Sequence, residues 1–119
     1  MTANLYELAY HFENALRNSD EYQRFVRQYS TINADPASKQ LLIKLNNTQM
    51  NLEQKQMMGQ EIRQQEVDEL QKITSIAQQN QKIAQLMEAD HQVNKLMMEL
   101  NKIMTKPLEE IYSSMIGKR

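Results

Sequence analysis

Hydrophobic residues recur every three or four positions along almost the whole chain, which is the spacing of one face of an α-helix. β-Branched alternation typical of strands is hard to find anywhere. The pattern therefore predicts an all-α fold. The expected helices are at about 3–18, 20–34, 36–58, 64–79, 81–105 and, as a short last element, 107–115.

Local signals mark most of these boundaries. Ser19 is a good N-cap, because its hydroxyl can accept a hydrogen bond from an amide in the next turn. Asp35-Pro36 predicts a helix start, since proline suits the first helical position, and Gly59 suits a helix end. Asn80 is the best candidate for a bend, although one helix running through it is an alternative. Pro107 should end or kink the chain, because it cannot donate to the Ile103 carbonyl.

The third helix carries apolar residues on two opposite sides. A helix on the surface of a monomer needs one apolar stripe, so a helix with two is expected to be covered on both sides. One side holds Leu41, Leu45 and Leu52, and the other holds Ile43, Met50 and Met57.

The fifth helix has the most regular pattern in the chain. Its apolar residues follow alternating spacings of three and four, as in the seam of a coiled coil. The seam consists of Leu86, Ala89, Val93, Leu96, Leu100 and Ile103, with Met97 and Met104 beside it.

These patterns together predict a long antiparallel helical hairpin, in which the third helix pairs with the fourth and fifth, and two shorter N-terminal helices, in one domain spanning residues 1–119. One chain cannot cover both stripes of the third helix, so we expect a homodimer or higher oligomer, a helical bundle. The stripes could alternatively be ordinary core, and the methionines gap-filling core residues. The residues expected at an interface with a second copy or a protein partner are Ile43, Met50, Met57, Leu86, Val93, Leu96, Met97, Leu100, Ile103 and Met104.

Composition narrows the functional classes. The net charge is -1, so electrostatics do not support binding to nucleic acid. The absence of cysteine excludes disulfides and thiolate metal sites in this chain and fits a reducing compartment. No signal peptide or membrane-spanning run is expected, which predicts a cytoplasmic protein that does not insert into membranes.

Residues with catalytic or ligand-binding potential do not form a recognisable motif. His11 and His91 each lack a second ligand at the spacing of a metal site. The only glycines are Gly59 and Gly117, so no phosphate-binding loop is present. We therefore expect no catalytic, cofactor-binding or metal-binding residues, and no enzymatic activity.

The order of several short segments resembles the YheA-like branch of the YlbF/YmcA family of Gram-positive bacteria. The resemblance runs from about Leu5 to Tyr112 and rests on helix boundaries and core pattern. The segments are Ser19-Asp20-Glu21-Tyr22, Asp35-Pro36, Leu52 to Gly59, Ile83 to Ala89 and Ile103 to Leu108.

The resemblance implies a cytoplasmic, all-helical, oligomeric protein with no catalytic residues. YlbF and YmcA members are accessory factors in a complex tied to competence, sporulation, biofilm formation and RNA processing. Their iron–sulfur clusters are held by cysteines, which this chain lacks, so that property does not transfer. The first hypothesis is thus a helical interaction or accessory factor, and the alternative is an RNA-processing regulator that contacts nucleic acid directly.

Overall fold

The computed structural model describes residues 4–117, and every regular element in that range is an α-helix. The predicted all-α class is confirmed. The helices are α1 (Leu5–Arg17), α2 (Asp20–Asn33), α3 (Pro36–Met57), α4 (Gln64–Gln79) and α5 (Gln81–Met115).

Side chains at the helix starts satisfy backbone amides that have no partner within the helix. The Ser19 hydroxyl accepts a hydrogen bond from the Tyr22 amide at 3.2 Å at the start of α2. Pro36 occupies the first turn of α3, where a missing N–H has no cost. Arg63 precedes α4 without the hydroxyl expected of a cap, and Glu66 compensates by accepting from the Arg63 amide at 3.1 Å.

The turn between α3 and α4 is closed at both of its ends. Gly59 adopts a φ of 69°, the left-handed conformation that glycine reaches without strain. The amides of Gly59 and Gln60 donate to the Gln56 and Lys55 carbonyls, the pair of bonds that ends many helices. The Lys55 ammonium also pairs with Glu66 across the turn.

The hydrophobic core lies where the end of α2, the middle of α3, the end of α4 and the start of α5 meet. Phe25, Leu41, Leu42, Leu70 and Met87 flank it as half-buried neighbours. The buried members of the cluster are Ile32, Leu45, Ile73, Ala77, Ile83 and Leu86.

The predicted antiparallel hairpin is present, but α3 and α4 alone form it. Lys55 meets Glu66 at its turn, and Ser38 meets Asn80 at its open end. Instead of continuing along α3, α5 packs mainly against α2 in the opposite direction. Arg24 of α2 accordingly donates a 2.7 Å hydrogen bond to Gln92 of α5.

A buried polar contact fixes the point where α5 leaves the hairpin. The Asn80 side-chain amide donates to the Ser38 hydroxyl at 2.9 Å, and its carbonyl oxygen accepts from the Ile83 amide at 3.1 Å. The Ser38 hydroxyl in turn donates to the Asp35 carboxylate at 2.7 Å. Lys82 completes the group with an ion pair to Asp35 at 3.1 Å. We call Asp35, Ser38, Asn80 and Lys82 the junction network.

The predicted end of a helix at Pro107 is wrong, because α5 is helical from Gln81 to Met115 with Pro107 inside it. The alternative, a kink at Pro107, stays a prediction. Proline in a helix interior removes one hydrogen bond and costs about 3 kcal/mol. A helix that continues through Pro107 therefore needs other contacts to offset this cost.

Replacing Asn80 by alanine should destabilise the fold by about 2–3 kcal/mol, because it removes the α5 cap and leaves Ser38 with one partner fewer. Asn94→Ala, on the exposed part of the same helix, is the control and should change stability by less than about 0.5 kcal/mol. Urea unfolding at one fixed protein concentration measures both. Equal midpoints for the two variants would contradict the role of the junction network.

Acid should weaken the junction network. Hydrogen bonds from Ser38 and then Lys82 hold the pKa of the Asp35 carboxyl below its usual value. A pKa that is lower in the folded state stabilises the fold above the unfolded pKa, about 4, and this stabilisation disappears as the pH falls through the folded pKa. Asp35→Asn should therefore lose less stability than the parent chain between pH 6 and pH 3 in urea titrations. The same acid loss in both proteins would be inconsistent with this assignment.

Candidate interaction surface

The last 16 helical residues of α5, 100–115, extend beyond the rest of the described chain. Glu21, near the start of α2, shares a groove with Leu96 and Glu99, so α2 ends its cover of α5 there. Sixteen residues span about 24 Å of helix. We call residues 100–115 the arm.

The arm exposes large hydrophobic side chains in unusual density. Ile103 is 69 % exposed and Met115 is 73 % exposed, and no arm residue is fully buried. Scattered exposed hydrophobics are normal on proteins, whereas a contiguous apolar patch indicates an interaction site. The exposed apolar side chains are Ile103, Met104, Leu108, Ile111, Tyr112 and Met115.

Four of these side chains form one face together with Leu100, while Ile103 and Tyr112 lie at its two edges. At 100° per residue, the positions of Leu100, Met104, Leu108, Ile111 and Met115 fall within about 80° of one another. The charged residues of the arm centre on the other side of the helix; they are Lys102, Lys106, Glu109 and Glu110. The arm is thus an amphipathic helix whose apolar face is exposed from Met104 to Met115 within the described chain.

Pro107 lowers the stability of the exposed arm. A short helical extension is marginal in water even with favourable residues, and an interior proline subtracts about 3 kcal/mol more. Residues 108–115 gain almost no burial within the chain to offset this cost. Within the described chain, the arm beyond Pro107 therefore has little besides its own backbone hydrogen bonds to stabilise it.

Two further apolar surfaces are uncovered. The outer side of α3 exposes Ile43, Met50 and Met57, spaced seven residues apart, with Met57 86 % exposed. α1 contacts only α2 and contains no buried residue. Its Leu5 is 79 % exposed.

The structure divides the residues expected at an interface into three groups. The exposed group is Ile43, Met50, Met57, Ile103 and Met104. Val93, Leu96, Met97 and Leu100 are half-buried along α5. Leu86 is 7 % exposed and lies in the core of the single chain, because its part of α5 packs against α2 and α3, so we remove it from the interface.

Sequence reasoning missed the C-terminal half of the arm. The sequence predicts Leu108, Ile111, Tyr112 and Met115 in a separate short helix, because a proline ends or kinks a helix. The signal that could have included them is the recurrence of apolar residues at spacings of three or four, which crosses Pro107 in a shifted register through Leu100, Met104, Leu108, Ile111 and Met115.

In two of the grooves formed by residues 4–117, the carboxylates are single or already engaged in hydrogen bonds. The groove between α2, α3 and α5 has Asp90 as the one carboxylate in its described lining. The groove between α3 and α4 contains Glu66 and Glu69, but Glu66 is held by Lys55 and the Arg63 amide, which lower its pKa. Within residues 4–117, no three His, Cys, Asp or Glu side chains are close enough to hold a metal ion. No helix of this range is long and apolar enough to cross a membrane.

Comparison with known proteins gives consistent matches along the chain. The family described as control of competence regulator ComK, YlbF/YmcA, matches residues 5–109. The UPF0342 protein YheA of Bacillus subtilis is 47 % identical over 98 % of this chain and all of its own length. A UPF0342 protein of Bacillus pumilus is 48 % identical over 96 % of this chain and 97 % of its own.

Two solved structures are similar to this fold. A protein of unknown function (DUF964) from Bacillus stearothermophilus has a TM-score of 0.84 at 34 % identity, covering 92 % of this chain and 96 % of its own. The structure of yheA from Bacillus subtilis has a TM-score of 0.73 at 37 % identity, covering 92 % of this chain and all of its own.

Replacing Pro107 by alanine should strengthen the arm, because it restores an amide donor for the Ile103 carbonyl and removes up to about 3 kcal/mol of helix penalty. Amide exchange of residues 108–115, followed by mass spectrometry at low protein concentration, should become slower. Ser113→Ala, on the polar face, is the control and should have a much smaller effect. Unchanged exchange in the Pro107 variant would show that the proline does not limit the arm.

Proposed function

This chain belongs to the YlbF/YmcA family, and we propose that it is a non-catalytic, cytoplasmic helical factor that self-associates and docks on a partner protein. The observation that carries the proposal is the set of apolar helix faces without intramolecular cover. They lie on the arm, on the outer side of α3 and on α1.

The arm and the outer side of α3 suit different tasks. The arm presents a dense, continuous apolar face, which fits a stable contact. The α3 surface presents single hydrophobic residues, two turns apart, with polar residues between them. Such sparse anchors suit a contact that forms and dissociates, and two of the three are methionines, which adapt to different surfaces. We assign self-association to the arm and partner docking to α3.

The absence of catalysis is supported by how the polar groups are used. The best-connected carboxylates, Asp35 and Glu66, accept hydrogen bonds that hold helix junctions together. Direct contact with nucleic acid, the alternative function, has weaker physical support. The chain has 14 basic and 15 acidic side chains, so no net positive charge is available to neutralise phosphates.

A photo-crosslinking residue in place of Met57 should form adducts with a protein other than this chain when the variant is expressed in its native cell. Met57 is 86 % exposed on the proposed docking side, so an adduct there requires little rearrangement. The same residue in place of Gln71, exposed on α4, is the matched control and should give no such adduct.

Mass spectrometry of the crosslinked bands identifies the captured chain. Adducts consisting only of this protein, or the same adducts from both positions, would contradict docking through α3. A Met50→Glu variant should reduce the Met57 adduct without changing the oligomeric mass, because it places a charge on the docking side alone.

A further inference from the structure

We propose that the arms of two copies pack against each other in antiparallel orientation, with the two-fold axis passing near Pro107 and Leu108. The occupant of the uncovered arm is thus a second copy of this chain. The inference rests on the self-association proposed above and adds the helix, the orientation and the register through which it occurs.

The apolar positions of the arm are arranged symmetrically about this point. Met104 and Ile111 lie at equal distances along the chain on either side of it, and so do Leu100 and Met115. In an antiparallel pair centred there, each of these residues meets its counterpart from the other copy. A two-fold contact needs such a self-complementary surface, because the same patch is used by both subunits.

The charged side chains of the arm lie away from the proposed contact. Lys106, Glu109 and Glu110 are on the side of the helix opposite the apolar face, so pairing through the apolar faces leaves them in water and buries no charge. The orientation therefore rests on the symmetric arrangement of the apolar positions.

The size of the apolar face is compatible with a dimer. The four exposed side chains of this face, together with Ile103 and Tyr112 at its edges, offer on the order of 500 Å² of apolar surface per copy. A stable interface typically buries about 800 Å² per partner. The arm therefore supplies more than half of the required area, and the flanking side chains of the same two helices can supply the remainder.

Antiparallel packing also separates the rest of the two molecules. In each copy, α1 to α4 and the first half of α5 lie at one end of the arm. Opposite directions place these parts at opposite ends of the paired arms, about 24 Å of helix apart. The outer side of α3 then stays accessible in both copies, as the proposed partner docking requires.

Single cysteines test the orientation without background, because the chain contains no cysteine. Leu108→Cys, next to the axis, should form a disulfide-linked dimer with itself under mild oxidation. Met104→Cys and Ile111→Cys should each remain monomeric alone on denaturing gels, and a mixture of the two should form a linked heterodimer. Met104→Cys linked to itself would indicate parallel pairing and would overturn the proposal, as would the absence of all of these links.

Light scattering at micromolar concentration separates failure of this inference from failure of self-association itself. The parent chain should have twice the 14.0 kDa mass of one copy, and Leu108→Glu should halve that mass. Ser113→Glu, on the polar face of the same arm, is the control and should remain dimeric. Circular dichroism should show that both variants keep the helical body.

The outcomes are distinct. A parent chain of 14.0 kDa would overturn both the pairing and the proposed self-association. A dimer that Leu108→Glu leaves intact would overturn the arm pairing alone, because self-association would then use another surface.

Discussion

The shape of this molecule depends on the hydrogen bond between the Asn80 side chain and the buried Ser38 hydroxyl. Asn80 ends α4 with an extended backbone and caps α5 through its carbonyl oxygen. The same side chain donates a hydrogen bond to Ser38 at the start of α3, so the direction of α5 relative to the hairpin is fixed there. A polar contact is well suited to this task, because an unpaired buried donor or acceptor costs more than its hydrogen bond gains. A direction of α5 that separated Asn80 from Ser38 would remove this donor from the buried Ser38 hydroxyl.

The junction network explains why the sequence predicts the individual helices but not the helix against which α5 packs. Periodicity and caps predicted the individual helices, because those signals are local. The partner of α5 was not predictable in the same way. Its seam fits either α3 or α2, and the choice follows from the turn at Asn80. Leu86 shows the consequence: its place in the seam suggested an interface, but packing against α2 and α3 buries it in the core.

In the arm, by contrast, a local signal was misleading. Pro107 alone predicted that the helix ends there, although the helix continues. Proline is a reliable interruption when a helix has only its backbone to stabilise it. The apolar face from Met104 to Met115 gives this segment another source of stability, which becomes effective when the face is covered. The stripe of three-and-four spacing was visible in the sequence on both sides of Pro107. What the sequence of one chain does not contain is the surface that covers the stripe.

Pro107 has a further consequence if a second copy supplies that cover. Because the arm beyond the proline gains little from its own chain, its helical structure and its pairing depend on the same contact. Folding of the arm and association of the two copies should then occur as one step, and the affinity is reduced by the cost of ordering the segment. A proline at the centre thus weakens the pair without altering its apolar face. Such tuning favours a dimer whose population responds to the concentration of the protein, which is a useful property in an accessory factor.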